Sequence, residues 1–145
     1  MSAPVAVAGT SALLALFNRQ DTEHAACVKA RAQISHLVIS PLVLAELDCL
    51  VTGRIGQNAA LAVLDHIMDR VDVKRYEVPE LSPHLRTARA LMVRHRTMNI
   101  GLTDAVNAAV ARRRSRPPRS PVRPAVRNFH AARPDPTARP QVSAT

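Results

Sequence analysis

Residues 37–47 read Leu37-Val38-Ile39-Ser40-Pro41-Leu42-Val43-Leu44-Ala45-Glu46-Leu47. Three apolar residues suit a short buried strand, and the Ser-Pro pair that follows marks the start of a helix. Ser40 is a good N-cap because its hydroxyl oxygen can accept from a free backbone N–H. Pro41 then takes the first helical position, where its missing N–H costs nothing. That helix is expected to end near Gly53. A strand passing through a tight turn into an amphipathic helix is half of a βαβ unit.

The same pattern extends outward from this segment. Val5 to Ala8 is a short apolar β-like run, after which Thr10 or Ser11 can cap a helix. A helix is expected from about Thr22 to Gln33, with Ala25, Val28 and Ala32 at helical spacing. Asn58 to Asp69 repeats the period through Leu61, Leu64 and Met68. Ser82-Pro83 is a further cap and start, and Thr103 caps a last helix from Asp104 to about Arg112. Strands separated by helices of this length imply an α/β fold, a parallel sheet with helices on both faces. Ligands of such sheets bind beyond the C-terminal ends of the strands, where Gly9 and Ser40 fall.

Two carboxylates stand near that edge. Glu46 lies two turns into the helix after Ser40, among Val43, Leu44, Leu47 and Leu50, so its face is expected to be mostly inside. A buried unpaired carboxylate is costly, and a hard divalent cation is one partner that offsets the cost. The plainer alternative is a solvated Glu46, or one paired with Arg54 or Lys74. Asp104 opens the last helix in Gly101-Leu102-Thr103-Asp104-Ala105. Taken alone, it is read first as an acidic first-turn residue favoured by the helix macrodipole. Asp48, two residues from Glu46, is expected to face solvent. Asn99 and Asn107 lie near Asp104 as further oxygen donors.

Four stretches in this order resemble the PIN-domain ribonucleases, and most closely the VapC toxins of bacterial toxin–antitoxin pairs. They are Thr10 to Phe17, Leu37 to Leu47, Val73 to Val78 with Leu81-Ser82-Pro83, and Gly101 to Ala105. The resemblance covers residues 5–111 and implies a PIN-like parallel sheet flanked by helices, with Val73–Val78 as its third strand. It implies Glu46 and Asp104 as catalytic and metal-binding residues, with Mg²⁺ (or Mn²⁺) as the ion. Thr10 or Ser11 would then hydrogen-bond a metal-bound water. It also implies cleavage of RNA phosphodiesters, a VapB-like antitoxin as partner, and homodimerisation through the helices. Two acidic positions of the family pattern are lost, one at Gly9 and one near Ala125. The alternative is therefore a catalytically impaired PIN-domain protein that binds antitoxin without cleaving RNA.

The 145 residues suit one domain with an aliphatic core, since 47% of them are apolar and only 2% aromatic. No run of about 18 apolar residues suggests a membrane span, and no secretory pattern opens the chain, so a cytoplasmic protein is expected. Cys27 and Cys49 lack metal-ligand spacing and read as reduced core thiols. The six histidines are scattered and read as surface residues. No Gly-rich phosphate loop or Ser/His/Asp signature supports a nucleotide-binding protein or serine hydrolase.

The net charge of +9 is unevenly placed. Residues 1–111 hold eleven Lys and Arg against ten Asp and Glu, whereas residues 112–145 hold nine Arg and one Asp. The division is thus a PIN-like domain over 1–111 and an Arg/Pro-rich tail over 112–145. Pro121 and Pro124 flank Val122-Arg123, where the family has its next strand, so that final strand region reads as disrupted. The tail is expected to be irregular or in part disordered, and clustered Arg can contact phosphates.

Overall fold

Ser40 does what its position suggests. Its side-chain oxygen accepts from the N–H of Leu42, Pro41 is the first helical residue, and the helix runs over Pro41–Arg54. The structure, a computed structural model, describes residues 4–115. In chain order the elements are β1 (Val5–Val7), α1 (Thr10–Phe17), α2 (His24–Ala32), β2 (His36–Val38), α3 (Pro41–Arg54) and α4 (Gln57–Asp72). They are followed by β3 (Tyr76–Glu77), a 3₁₀ turn (Ser82–His84), α5 (Leu85–Arg94), a second 3₁₀ turn (Arg96–Met98) and α6 (Leu102–Ser115).

The three strands form a parallel sheet in the order β1-β2-β3. In register, Ala6 pairs with Leu37 and Val7 with Val38, while Leu37 pairs with Tyr76. Alternation along β2 builds two cores, as a sheet covered on both faces requires. Leu37 and Ile39 pack with Leu13, Val43, Leu47 and Ile67 from α1, α3 and α4. Val38 points the other way and meets Ala88, Ala105, Val106 and Val110 from α5 and α6. The α/β architecture read from the sequence is the one observed.

Several local expectations are revised. The third strand shrinks from Val73–Val78 to Tyr76–Glu77, because α4 continues to Asp72 and Lys74 turns the chain at φ 60°. Val73 stays 61% exposed. Ser82-Pro83 opens a 3₁₀ turn instead of an α-helix, and α5 begins only at Leu85. Between α3 and α4 the chain turns at Gly56, whose φ of 131° is a conformation that residues with side chains rarely adopt.

The side-chain expectations also change in part. Cys49 is exposed and Cys27 half-buried, so neither is a core thiol, though both are free. His84 is buried rather than on the surface. Burial, and then the cations Arg113 and Arg114, hold its pKa below the ordinary histidine range. His36 is half-buried and spans the Lys74 carbonyl oxygen and the Glu77 carboxylate, each at 3.0 Å. Arg114 meets the same carboxylate and ties the end of α6 to β3. Burial alone would raise the Glu77 pKa, but the hydrogen bonds from His36 and Arg114 outweigh it and lower it. The Val122-Arg123 region and the position near Ala125 lie outside the described residues.

Candidate functional site

Three helices begin or pass beside the C-terminal end of β1. Ala8, whose N–H donates to the Val38 carbonyl at 2.9 Å, is the last residue held by the sheet. Gly9 then serves as N-cap of α1, with extended φ and ψ of −90° and 159° and no side-chain cap. Across the edge, Ser40 launches α3 and places Glu46 in its second turn. From the other face of the sheet, α6 starts after Gly101, where the Ala105 N–H donates to the Gly101 carbonyl at 3.0 Å. Asn99, at φ 49°, sets up this entry in the left-handed conformation that Asn tolerates better than most residues.

Glu46 joins the three helices. Its Oε2 accepts the Thr10 hydroxyl at 2.7 Å and its Oε1 accepts the Thr103 hydroxyl at 2.5 Å. The Thr103 hydrogen bond is the larger influence and Thr10 the next; together they hold the Glu46 pKa below the usual carboxylate range, against a slight opposing effect of burial. Both hydroxyls favour the charged form by donating to it.

Glu46 is exposed, contrary to the expectation from its neighbours. Val43, Leu47 and Val51 carry the buried stripe of α3, and Glu46 stands on the rim beside it. Neither Arg54 nor Lys74 pairs with it among the described residues. Asp48 is exposed, as expected.

Asp104 is exposed in the first turn of α6, next to Thr103. One turn later, the Asn107 amide nitrogen donates to the Ala8 carbonyl at 3.1 Å. Among the described residues the amide oxygen of Asn107 is buried without a partner, which is unusual for a buried acceptor. Thr103, expected as the cap of α6, lies instead inside its first turn and donates to Glu46, a contact its place in the sequence does not by itself announce. The one signal for that contact is a hydroxyl residue directly before the Asp. Asn99 serves the turn.

The donors suit a hard cation only at the lower limit. Among the described residues no three His, Cys, Asp or Glu side chains gather as a metal cluster. Mg²⁺ nevertheless needs only one or two carboxylates when waters and substrate phosphates complete its shell. Glu46 on α3 and Asp104 on α6 are the two carboxylates carried by the helices at this edge, and among the described residues the Asn107 amide oxygen has no partner. At Gly9 an added Cβ would meet nothing within 4 Å, so a side chain there would have room.

Comparison with known proteins identifies the family. The family model for the PIN domain matches residues 7–117. The chain is 36% identical over 108 residues to Ribonuclease VapC26 of Mycobacterium tuberculosis, covering 72% of this chain and 76% of that protein. It is also similar to the crystal structure of Mycobacterium tuberculosis VapC20, described as a sarcin-ricin loop cleaving toxin. That match has a TM-score of 0.64 at 26% identity, over 76% of this chain and 82% of that one. With a PIN model spanning most of its length and a VapC ribonuclease as a relative, the chain belongs to the VapC family of PIN-domain ribonucleases.

Proposed function

We propose that this protein is the toxin of a type II toxin–antitoxin pair, a Mg²⁺-dependent endoribonuclease of the cytoplasm. The observation that carries this reading is Glu46 at the sheet edge, accepting from both the Thr10 and Thr103 hydroxyls, with Asp104 following Thr103 in the first turn of α6. Glu46 and Asp104 are the catalytic and metal-holding pair of a PIN-like domain over 1–111, and the first residues of the Arg/Pro-rich tail over 112–145, Arg112 to Ser115, complete α6. Mn²⁺ shares the oxygen preference and could replace Mg²⁺. When bound, the ion supplies Lewis-acid stabilisation of phosphoryl oxygens and a more acidic water. The residues themselves do the positioning. Thr10 and Thr103 fix both Glu46 oxygens, the Thr103 hydrogen bond ties α6 to α3, and Asn107 ties α6 to the end of β1 through Ala8. RNA is the substrate, a VapB-like antitoxin the inhibitory partner, and the protein pairs with a second copy through its helices.

A second reading has its own observation. Gly9 leaves a ligand position empty of any carboxylate, which favours a protein that binds antitoxin but cleaves RNA weakly or not at all. Expression in a bacterial host separates the two. The toxin reading predicts growth arrest with new RNA 5′ ends, both abolished by Asp104→Ala and relieved by the antitoxin. Unimpaired growth and intact RNA, with retained antitoxin capture, would establish the second reading instead.

A further inference from the structure

The near-neutral charge of residues 1–111 hides a division in space. Residues 1–80 hold seven Lys and Arg against nine Asp and Glu, whereas residues 81–111 hold four Arg and only Asp104. Those four are Arg86, Arg89, Arg94 and Arg96, on α5 and the 3₁₀ turn after it. All four are exposed, and none forms an ion pair or side-chain hydrogen bond among the described residues. Helix geometry places Arg86, Arg89 and Arg94 within an arc of about 140°. That arc lies opposite Ala88 and Leu91, the residues α5 buries against the core.

We infer that this arginine ridge is the track along which the RNA backbone approaches the site, a conclusion that rests on the ribonuclease reading above. Placement supports it. The chain runs from Arg94 and Arg96 through Asn99 and Gly101 directly into Thr103 and Asp104, and α5 packs on α6. The ridge therefore begins at the carboxylate end of the molecule and leads away from it. A polyanion brought to Glu46 and Asp104 meets like charge, and unpaired guanidinium groups alongside offset that repulsion. Phosphate contacts of this kind fix register and orientation without reading sequence.

The test uses the full chain and a fluorescein-labelled, unstructured RNA 20-mer in EDTA, followed by anisotropy across a salt series. Each phosphate neutralised on a single strand contributes roughly 0.7 to the slope of log K against log salt. Replacing all four arginines by Ala should lower that slope by about 2.8 and weaken binding roughly 10²-fold at moderate salt. Ala is the strongest helix former, so α5 should persist, and the four-Lys variant should keep the slope. A control set on the other faces, Arg19, Arg54, Arg70 and Arg75 to Ala, should change the slope by less than half as much.

A ridge variant with the native slope, or with no greater loss than the control, overturns the inference. So does loss of poly-glutamate binding with RNA binding intact, which would assign the ridge to an acidic protein. Cleavage measured in Mg²⁺ keeps the two ideas apart. A native chain that binds through the ridge but never cleaves sinks the enzyme reading alone; a ridge variant that binds and cleaves normally sinks this inference alone.

Discussion

Gly9→Asp restores a carboxylate at the end of β1, and the structure allows its effect to be worked out. The backbone there is extended, with φ −90°, so the new side chain brings no strain. Its Cβ would meet nothing within 4 Å. Losing a glycine reduces the freedom of the unfolded chain and stabilises by about 0.4–1 kcal/mol at a compatible position. Asp is also a better N-cap than Gly by a few tenths of a kcal/mol. Against this stands repulsion from Glu46 and Asp104, about 1 kcal/mol for a close pair in water. Without metal the variant should therefore match the native chain to within about 1 kcal/mol. With Mg²⁺ a hundredfold above its Kd, binding adds about 2.7 kcal/mol, a rise in Tm on the order of 10 °C. The native chain, with two carboxylates, should shift by far less at the same concentration. Thermal unfolding of both proteins in EDTA and in Mg²⁺ measures all four values. Equal Mg²⁺ shifts in the two would refute the assignment of this edge to the ion. A loss above about 2 kcal/mol in EDTA would refute the claim that the space is open.

Thr103→Val keeps the shape of the side chain and removes the donor to Glu46 Oε1, so the Glu46 pKa should rise. The acidic limb of the cleavage–pH profile should then move to higher pH, with a stability change under about 1 kcal/mol because the carboxylate is exposed; an unmoved limb would remove Thr103 from the site. His84 should make the fold acid-sensitive. Its folded pKa lies below the ordinary 6.5, chiefly through burial and then through Arg113 and Arg114, so the unfolded chain takes the proton first. The stability it contributes is complete above 6.5 and is lost as pH falls through the lower folded value. His84→Gln should flatten the decline of Tm across that range, and an identical decline in the variant would contradict the reading. His66, lowered chiefly by burial and then by Arg70, acts with the same sign.

The sequence disclosed most where one local force decides the outcome. Ser40-Pro41 fixes a helix start from side-chain chemistry alone, and the apolar run Leu37-Val38-Ile39 before it marks a buried strand. It disclosed less where the answer depends on neighbours distant in the chain. Val73 lies in a β-favouring run, yet helix packing carries α4 past Asp69 and Lys74 turns the chain before a strand can form. The apolar neighbours of Glu46 suggested burial, but the buried stripe passes one side of it. Thr103 looked like a cap because its partner is 57 residues away. A charge count over 111 residues averaged away the arginine ridge, although the apolar spacing of Leu85, Ala88, Leu91 and Met92 already marks the inner face of the helix that carries it.

The pairing of Glu46 with Asp104 as a working ribonuclease site is tested most directly by the initial rate of RNA cleavage by the purified full chain in saturating Mg²⁺, beside Asp104→Asn. Asn keeps the size of the side chain and loses its charge, and α6 should be unaffected. The expected result is slow cleavage by the native chain that falls at least tenfold in the variant and vanishes for both in EDTA. Equal rates in the two proteins, or cleavage that ignores EDTA, would contradict it.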